Sequence, residues 1–183
     1  MAAGVVAGVV LFLHLAVAPE DEHVGLVKGR VAQALVGIGE AGGEIGGQAD
    51  IIGDPEHGVG ALDLVEEVIA RRKASDDPAV FITQTPEDDF RAAANALMER
   101  APEPNSLPLW GVPFAVKDNI DVSGLPTTAA CPAFAYQPEK DATVVARLNA
   151  AGAIVIGKTN LDQFATGLNG TRSPYGAPRS VFD

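Results

Sequence analysis

The segment GAIVIGKT, residues 152–159, fits the phosphate-binding pattern G-x-x-x-x-G-K-[ST] at every position. In a phosphate-binding loop the variable positions form an open turn whose backbone N–H groups face the anion. Here those positions read AIVI, a β-branched run of strand length. A strand gives its N–H groups to the sheet ladder, so the segment predicts a strand and argues against a nucleotide site. Lys158 then lies at the strand exit, where side chains often face a functional cleft.

A second lysine, Lys117, directly follows the apolar run FAV. The residues alone leave two interpretations open. In the first, Lys117 extends its amine to solvent or pairs with Asp118 or Asp121. In the second, Lys117 is a general base, because burial lowers the pKa of a lysine and a neutral amine can take the proton of a serine hydroxyl. The second interpretation predicts the Ser–Lys variant of nucleophilic catalysis.

Other reactive side chains are few. Cys131 is the one cysteine, which excludes an intrachain disulfide, and it reads as a small buried or half-buried residue. The histidines, His14, His23 and His57, have no partner at a metal-ligand spacing, so no metal site is expected. Residues 37–42 spell G-x-G-x-x-G, but a helix-like run precedes them and more glycines follow, which argues against a dinucleotide site.

The charge of the chain restricts its partners. The 183 residues carry a net charge of −11. Neutralising phosphates requires clustered Lys and Arg, so no nucleic-acid partner is expected, and the same charge argues against docking on an anionic membrane. Residues 1–18 are apolar like a signal peptide, yet no basic residue precedes them and His14 interrupts them. We therefore expect a cytoplasmic protein.

The elements that would position the two lysines begin near residue 61. Residues 1–60 read as an apolar and then glycine-rich extension, and residues 61–183 as the folded domain. Apolar spacing predicts a helix over residues 62–74, and PAVFIT predicts a strand. Residues 85–100 predict a helix with Thr85 as its N-cap and Pro86 as its first residue.

Three further elements surround the lysines. Residues 141–152 predict a helix that is capped by Asp141 and stopped by Gly152. The strand AIVIG follows, and residues 159–167 predict a short helix that ends at Gly167. This alternation of helices and strands predicts an α/β fold.

Two longer segments show a resemblance to a known family. The text LPLWGVPFAVKDNIDVSGLPTTAACPAFAY, residues 107–136, and DATVVARLNAAGAIVIGKTNLDQFATGLNGTRSPYGAPR, residues 141–179, strongly resemble the amidase signature family. Within it, NLDQFATG and PTTAACPAFAY are most similar to the allophanate hydrolases. Other amidases and the A-type subunits of amidotransferases carry MDEFAMG-like text at the first of these segments. The resemblance begins near residue 62.

The resemblance implies an α/β/α sandwich with a mixed central sheet, incomplete in this chain. It also implies a Ser–cis-Ser–Lys triad in which Lys117 is the lysine. One serine attacks an amide carbonyl, backbone N–H groups stabilise the oxyanion, and the acyl-enzyme is hydrolysed. For the allophanate hydrolases the substrate is allophanate in urea degradation, and the products are ammonia and carbon dioxide. No metal or organic cofactor is implied.

The sequence departs from the family near its end. In the text SPYGAPRSVFD, Ser180 and Val181 stand where the family carries Asn-Pro, and the glycine- and serine-rich segment with both triad serines is absent. Ser123 and Ser173 read as turn residues. We therefore expect the amino-terminal part of an amidase that is inactive alone. A different amidase, a non-catalytic truncated product and an amidotransferase A-type subunit remain alternatives, and a homodimer of the full-length form remains open.

Overall fold

The computed structural model describes residues 60–104 and 106–179. The predictions for the apolar start, the G-x-G-x-x-G glycines and Ser180 lie outside these ranges. The main elements are α1 (Ala61–Ala74), β1 (Phe81–Gln84), α2 (Glu87–Arg100), β2 (Pro113–Lys117), α3 (Thr143–Ala150) and β3 (Ile154–Thr159). Two 3-10 turns occupy Pro132–Phe134 and Gln163–Ala165. Across the described ranges, no helix is long and apolar enough to cross a membrane.

The three strands form one mixed sheet in the order β1-β3-β2. β2 and β3 are parallel, with Lys117 opposite Thr159, whereas β1 is antiparallel to β3. Parallel strands need a crossover connection, and α3 lies within the connection here. The carboxyl ends of β2 and β3 therefore meet at one edge of the sheet, which we call the lysine edge because Lys117 and Lys158 lie there. The predicted mixed sheet is confirmed.

The helices cover both faces of the sheet. Ala115 packs in one apolar cluster with residues of α1 and α2. Its neighbours Phe114 and Val116 pack in a second cluster with Val145 and Leu148 of α3. This alternation follows from the two-residue period of a strand. The resulting order is helix, sheet, helix, as expected for an α/β/α sandwich.

The start of α2 differs from the prediction. The helix begins at Glu87, and Pro86 takes the cap position without a side-chain hydrogen bond. Thr85 does not cap the helix, because its hydroxyl donates to the carbonyl of Val155 on β3 at 3.0 Å. A tertiary acceptor on the adjacent strand thus replaces the local one that the capping rule assumes.

The start of α3 differs in the same way, whereas its end was predicted correctly. Asp141 does not cap the helix, which begins at Thr143 after Ala142. Its carboxylate accepts hydrogen bonds from Ser123 N at 2.8 Å and Asn149 Nδ2 at 3.0 Å, and so joins a distant turn to the helix. Gly152 ends the helical segment with a φ of +99°, a conformation that favours glycine.

Candidate functional site at the lysine edge

The phosphate-loop pattern lies on a strand, as its β-branched run predicted. Residues 154–159 of the pattern form β3, and the N–H of Ile154 donates to Val112 O at 2.9 Å. The ladders to β1 and β2 lie on either side of this strand. Backbone N–H groups committed to a sheet cannot surround a phosphate. The segment therefore has no phosphate-binding geometry.

The second glycine of the pattern has a packing role instead. A Cβ on Gly157 would lie 2.6 Å from Thr83 O on β1, and its φ is +152°. We expect Gly157→Ala to lower the free energy of unfolding by about 3 kcal/mol, because steric overlap adds to backbone strain. Chemical denaturation measures this change. Gly124→Ala is the control, since Gly124 also has a positive φ but no atom near its Cβ position, and it should cost only about 1 kcal/mol. Equal costs would contradict the packing role.

Lys117 is the last residue of β2 and is half-buried. Its carbonyl accepts a hydrogen bond from Ile120 N at 2.9 Å. Its amine has no hydrogen bond or ion pair with any residue in the ranges 60–104 and 106–179. Pairing with Asp118 or Asp121, one form of the first interpretation, is therefore not found among these residues. The Lys117 amine is therefore unpaired within these two ranges.

Asp118, the next residue, is fully buried. Its Oδ2 accepts hydrogen bonds from both the N–H and the hydroxyl of Thr128, and from Ala130 N at 3.5 Å. Its backbone carbonyl accepts a fourth bond from Ala129 N at 3.4 Å. Asp118 therefore holds residues 126–130, which we call the strap, against the lysine edge.

Lys158 lies on β3 and is also fully buried. Its Nζ donates to Pro126 O and to Thr127 Oγ1, both at 3.0 Å, and lies 3.5 Å from Asp118 Oδ1. Burial lowers the pKa of Lys158, and the nearby Asp118 carboxylate opposes this shift. Two hydrogen bonds and the nearby Asp118 carboxylate therefore hold the Lys158 amine in place.

Asp121 completes the network on the outer side of the strap. Its Oδ1 accepts hydrogen bonds from Thr127 Oγ1 at 2.9 Å and from the Tyr136 hydroxyl at 2.6 Å. The hydrogen bond to Asp121 raises the pKa of Tyr136, with a smaller contribution from burial. The network thus extends from Lys158 to the surface.

Backbone strain concentrates beside the lysine edge. Among non-glycine residues in the described part of the chain, only Ala129, Ala130, Phe164 and Ala165 have positive φ angles, between 50° and 57°. Each such residue costs about 1–2 kcal/mol and persists only where its surroundings enforce it. The two strained pairs are joined directly, since Phe164 N donates to Ala129 O at 2.9 Å and Gln163 Nε2 donates to Ala130 O at 3.1 Å.

The predicted helix over residues 159–167 is wrong. Only the single turn Gln163–Ala165 forms, and Thr159 belongs to β3. The reason is Asp162, whose buried carboxylate accepts hydrogen bonds from the later amides of Asn169, Gly170 and Arg172. These bonds fold residues 163–172 back as a loop. A helix would direct those amides elsewhere.

The pH dependence of this loop follows from the same bonds. Backbone hydrogen bonds hold the pKa of the Asp162 carboxyl below its usual range. The largest contribution comes from the N–H of Arg172, followed by those of Gly170 and Asn169. A lowered folded-state pKa contributes stability above about pH 4, which is lost as the pH falls through the folded value. We therefore expect wild type to melt above Asp162→Asn at pH 7, and the difference in Tm to shrink as the pH falls below about 4. A difference that is constant with pH would contradict this assignment.

Ser123 and Ser173 are turn residues, as predicted. Ser123 N donates to Asp141, and Ser173 Oγ donates to Asn160 Oδ1 at 2.6 Å while accepting from Tyr175 N. Cys131 is a half-exposed free thiol. Among the residues with described positions, no three His, Cys, Asp or Glu side chains group as metal ligands.

The roles of Asp118 and Lys158 were missed by the sequence interpretation. Asp118 was considered only as a surface partner for Lys117, and Lys158 only as a residue near a cleft. One signal was available, because both residues follow apolar runs that the sequence identified as buried strands. A charge at such a position is expected to have a buried partner.

Comparison with known proteins gives a consistent result. The profile of the family described as Amidase matches residues 63–183. Urea amidolyase of Lachancea kluyveri is 55% identical over 128 residues, which is 70% of this chain and 7% of that protein. The A-type subunit of the glutamyl-tRNA(Gln) amidotransferase from Streptococcus thermophilus is 40% identical over 126 residues, 68% of this chain and 26% of that protein.

The chain is also similar to a solved structure. The allophanate hydrolase of Kluyveromyces lactis superposes with a TM-score of 0.55 at 51% identity, over 64% of this chain and 20% of that protein. The chain therefore spans about a quarter or less of the length of each of these three relatives.

Proposed function

The chain belongs to the amidase family, and from this premise we propose that the protein carrying it hydrolyses the amide bond of allophanate, with Lys117 as general base. The observation that supports this assignment is the state of Lys117, whose amine ends a buried strand without a partner in the described part of the chain. A base must present a free lone pair to the proton it removes. Lys158, the other lysine at this edge, is held by two hydrogen bonds and the nearby Asp118 carboxylate instead.

In the proposed reaction Lys117 accepts the proton of one serine, which in turn accepts the proton of the nucleophilic serine. The nucleophile attacks the amide carbonyl, the proton passes back from Lys117 to the leaving nitrogen so that ammonia departs, and water hydrolyses the acyl-enzyme. Neither Ser123 nor Ser173 is a triad serine in this proposal, because both are engaged in turns.

The choice of substrate rests on relative similarity. Identity is 55% to a urea amidolyase and 51% to an allophanate hydrolase, but 40% to a component of an amidotransferase over a similar length. We therefore propose allophanate as the first candidate substrate, and urea degradation as the process in which it is hydrolysed. Transfer of ammonia by an amidotransferase A-type subunit is the second candidate, supported by the same 40% relative.

The proposal extends to location and partners. A net charge of −11 supports a protein that binds no nucleic acid, and we place it in the cytoplasm. The proposed full-length form is a homodimer that binds a small amide substrate and needs no metal or organic cofactor. Light scattering of the full protein tests the dimer, which a monomeric mass would contradict.

The substrate assignment is tested by ammonia release from the full protein that carries this sequence. Allophanate and glutamine are supplied separately at equal concentration. We expect turnover of allophanate and no release from glutamine. Turnover of glutamine alone would favour the amidotransferase alternative, and turnover of neither would overturn the proposed hydrolase.

A further inference from the structure

We propose that Asp118 and Lys158 form a positioning unit for Lys117, which holds the strap and the Gln163–Ala165 turn in place and keeps the net charge beside the Lys117 amine near zero. The inference rests on the proposed function, because it assigns these two residues a role in the same reaction. Neither is assigned contact with substrate.

The first argument is geometric. Asp118 follows Lys117 directly and continues the β2–β3 ladder, since its N–H donates to Thr159 O at 3.1 Å. The same residue accepts the strap's hydrogen bonds through its carboxylate and its carbonyl. The backbone that carries Lys117 and the strap beside it are therefore fixed by one side chain.

The second argument concerns the strained residues. The strap enforces left-handed backbone at Ala129 and Ala130, and their carbonyls accept the bonds that hold Gln163 and Phe164. Strain of this kind occurs at functional sites, where surrounding contacts maintain it. Asp118 supplies those contacts, so loss of its charge should loosen both segments together.

The third argument is electrostatic. Asp118 Oδ1 is buried and has no hydrogen bond partner within the described ranges, so its charge is balanced by Lys158 at 3.5 Å. Asp121 and Tyr136 are the other titratable groups that interact with this pair, and Lys117 precedes Asp118 in the chain. Removing Lys158 leaves an uncompensated negative charge on Asp118, the residue after Lys117. Removing Asp118 leaves a positive charge on Lys158, which pairs with Val116, the residue before Lys117, in the sheet.

The test is the pH dependence of kcat and KM in the full protein. We compare wild type with Asp118→Asn, with Lys158→Met and with the double variant. Lys158→Met leaves a buried carboxylate, which favours the protonated base, so the acid limb of the kcat profile should move up by about half a pH unit or more. Asp118→Asn leaves a buried cation, so the limb should move down by about the same amount.

The double variant restores neutrality, and its acid limb should return close to that of wild type. In each single variant kcat should fall by about tenfold or more, while KM changes less, because the base and not the substrate site is displaced. The matched controls Asp89→Asn and Lys140→Met remove exposed charges of the same two types and should leave the profile unchanged. Acid limbs that do not move, or that move in the same direction in both single variants, overturn the proposal.

A further variant covers the case in which the single charge variants do not fold. Thr128→Val removes the hydroxyl that donates to Asp118 without changing any charge. A fall in kcat of about fivefold or more with an unchanged acid limb supports the positioning unit, and native kcat overturns it. The proposed function is tested separately by Lys117→Ala. If that variant is inactive while the Asp118 and Lys158 variants match wild type, only the positioning unit is wrong.

Discussion

Replacing Lys117 with alanine is expected to lower kcat for allophanate hydrolysis by about 10³-fold or more, since a positioned general base contributes roughly 10²–10⁴-fold and the triad acts as one unit. The half-buried side chain has no hydrogen bond or ion pair with another described residue. Its removal should therefore change folding stability little. Steady-state ammonia release measures the activity, and thermal unfolding measures the fold.

Lys117→Arg separates charge from base function. The guanidinium keeps the positive charge and most of the length of the side chain but cannot be deprotonated in proteins. We expect Lys117→Arg to be as inactive as Lys117→Ala. Substantial activity in the arginine variant would mean that position 117 acts only as a cation, and activity in the alanine variant would remove the general base from the proposed mechanism.

Replacing Phe90 with alanine is expected to lower the free energy of unfolding by about 3–5 kcal/mol, because a large side chain with 0% exposure leaves a cavity. Phe90 lies on α2 in the cluster that joins α1 and α2 to the sheet. Its ring centroid lies 5.8 Å from the guanidinium carbon of Arg72. Arg72 in turn donates to Thr85 O and Ile156 O, both at 3.1 Å.

The ring also compensates a buried charge. Arg72 Nε is buried without a hydrogen bond partner among the described residues, and burial lowers the pKa of Arg72 while Glu87 opposes that shift. Loss of the ring would therefore remove a cation–π contact as well as packing. Phe90→Leu, which keeps most of the volume, should cost less than half as much in chemical denaturation. Equal costs for both variants would show that the aromatic ring, and not volume, determines stability here.

The amino-acid sequence by itself determined most of the helices and strands and the family. Apolar periodicity fixed α1, α2 and α3, and the β-branched run over residues 153–156 showed that the phosphate-loop pattern lies on a strand. These features depend on local spacing, which the sequence displays directly. The sequence motifs were also sufficient to identify the family, because the matching segments around Lys117 and Lys158 extend over dozens of residues.

The tertiary structure decided where the polar side chains of those elements point. Thr85 and Asp141 were predicted as helix caps, but each found a partner on a distant segment. Asp162 replaced a predicted helix with a loop by binding amides up to ten residues later. Capping rules assume local acceptors, and a buried carboxylate or hydroxyl chooses among all groups that folding brings within reach.

The division of roles between the two lysines has the same origin. Lys117 and Lys158 both follow apolar runs, and their sequence surroundings do not distinguish a free amine from a paired one. The strap, about ten residues after Asp118, surrounds Lys158 with acceptors and leaves Lys117 without one in the described part of the chain. Whether a charge in a protein interior is paired depends on long-range contacts, which only the folded chain specifies.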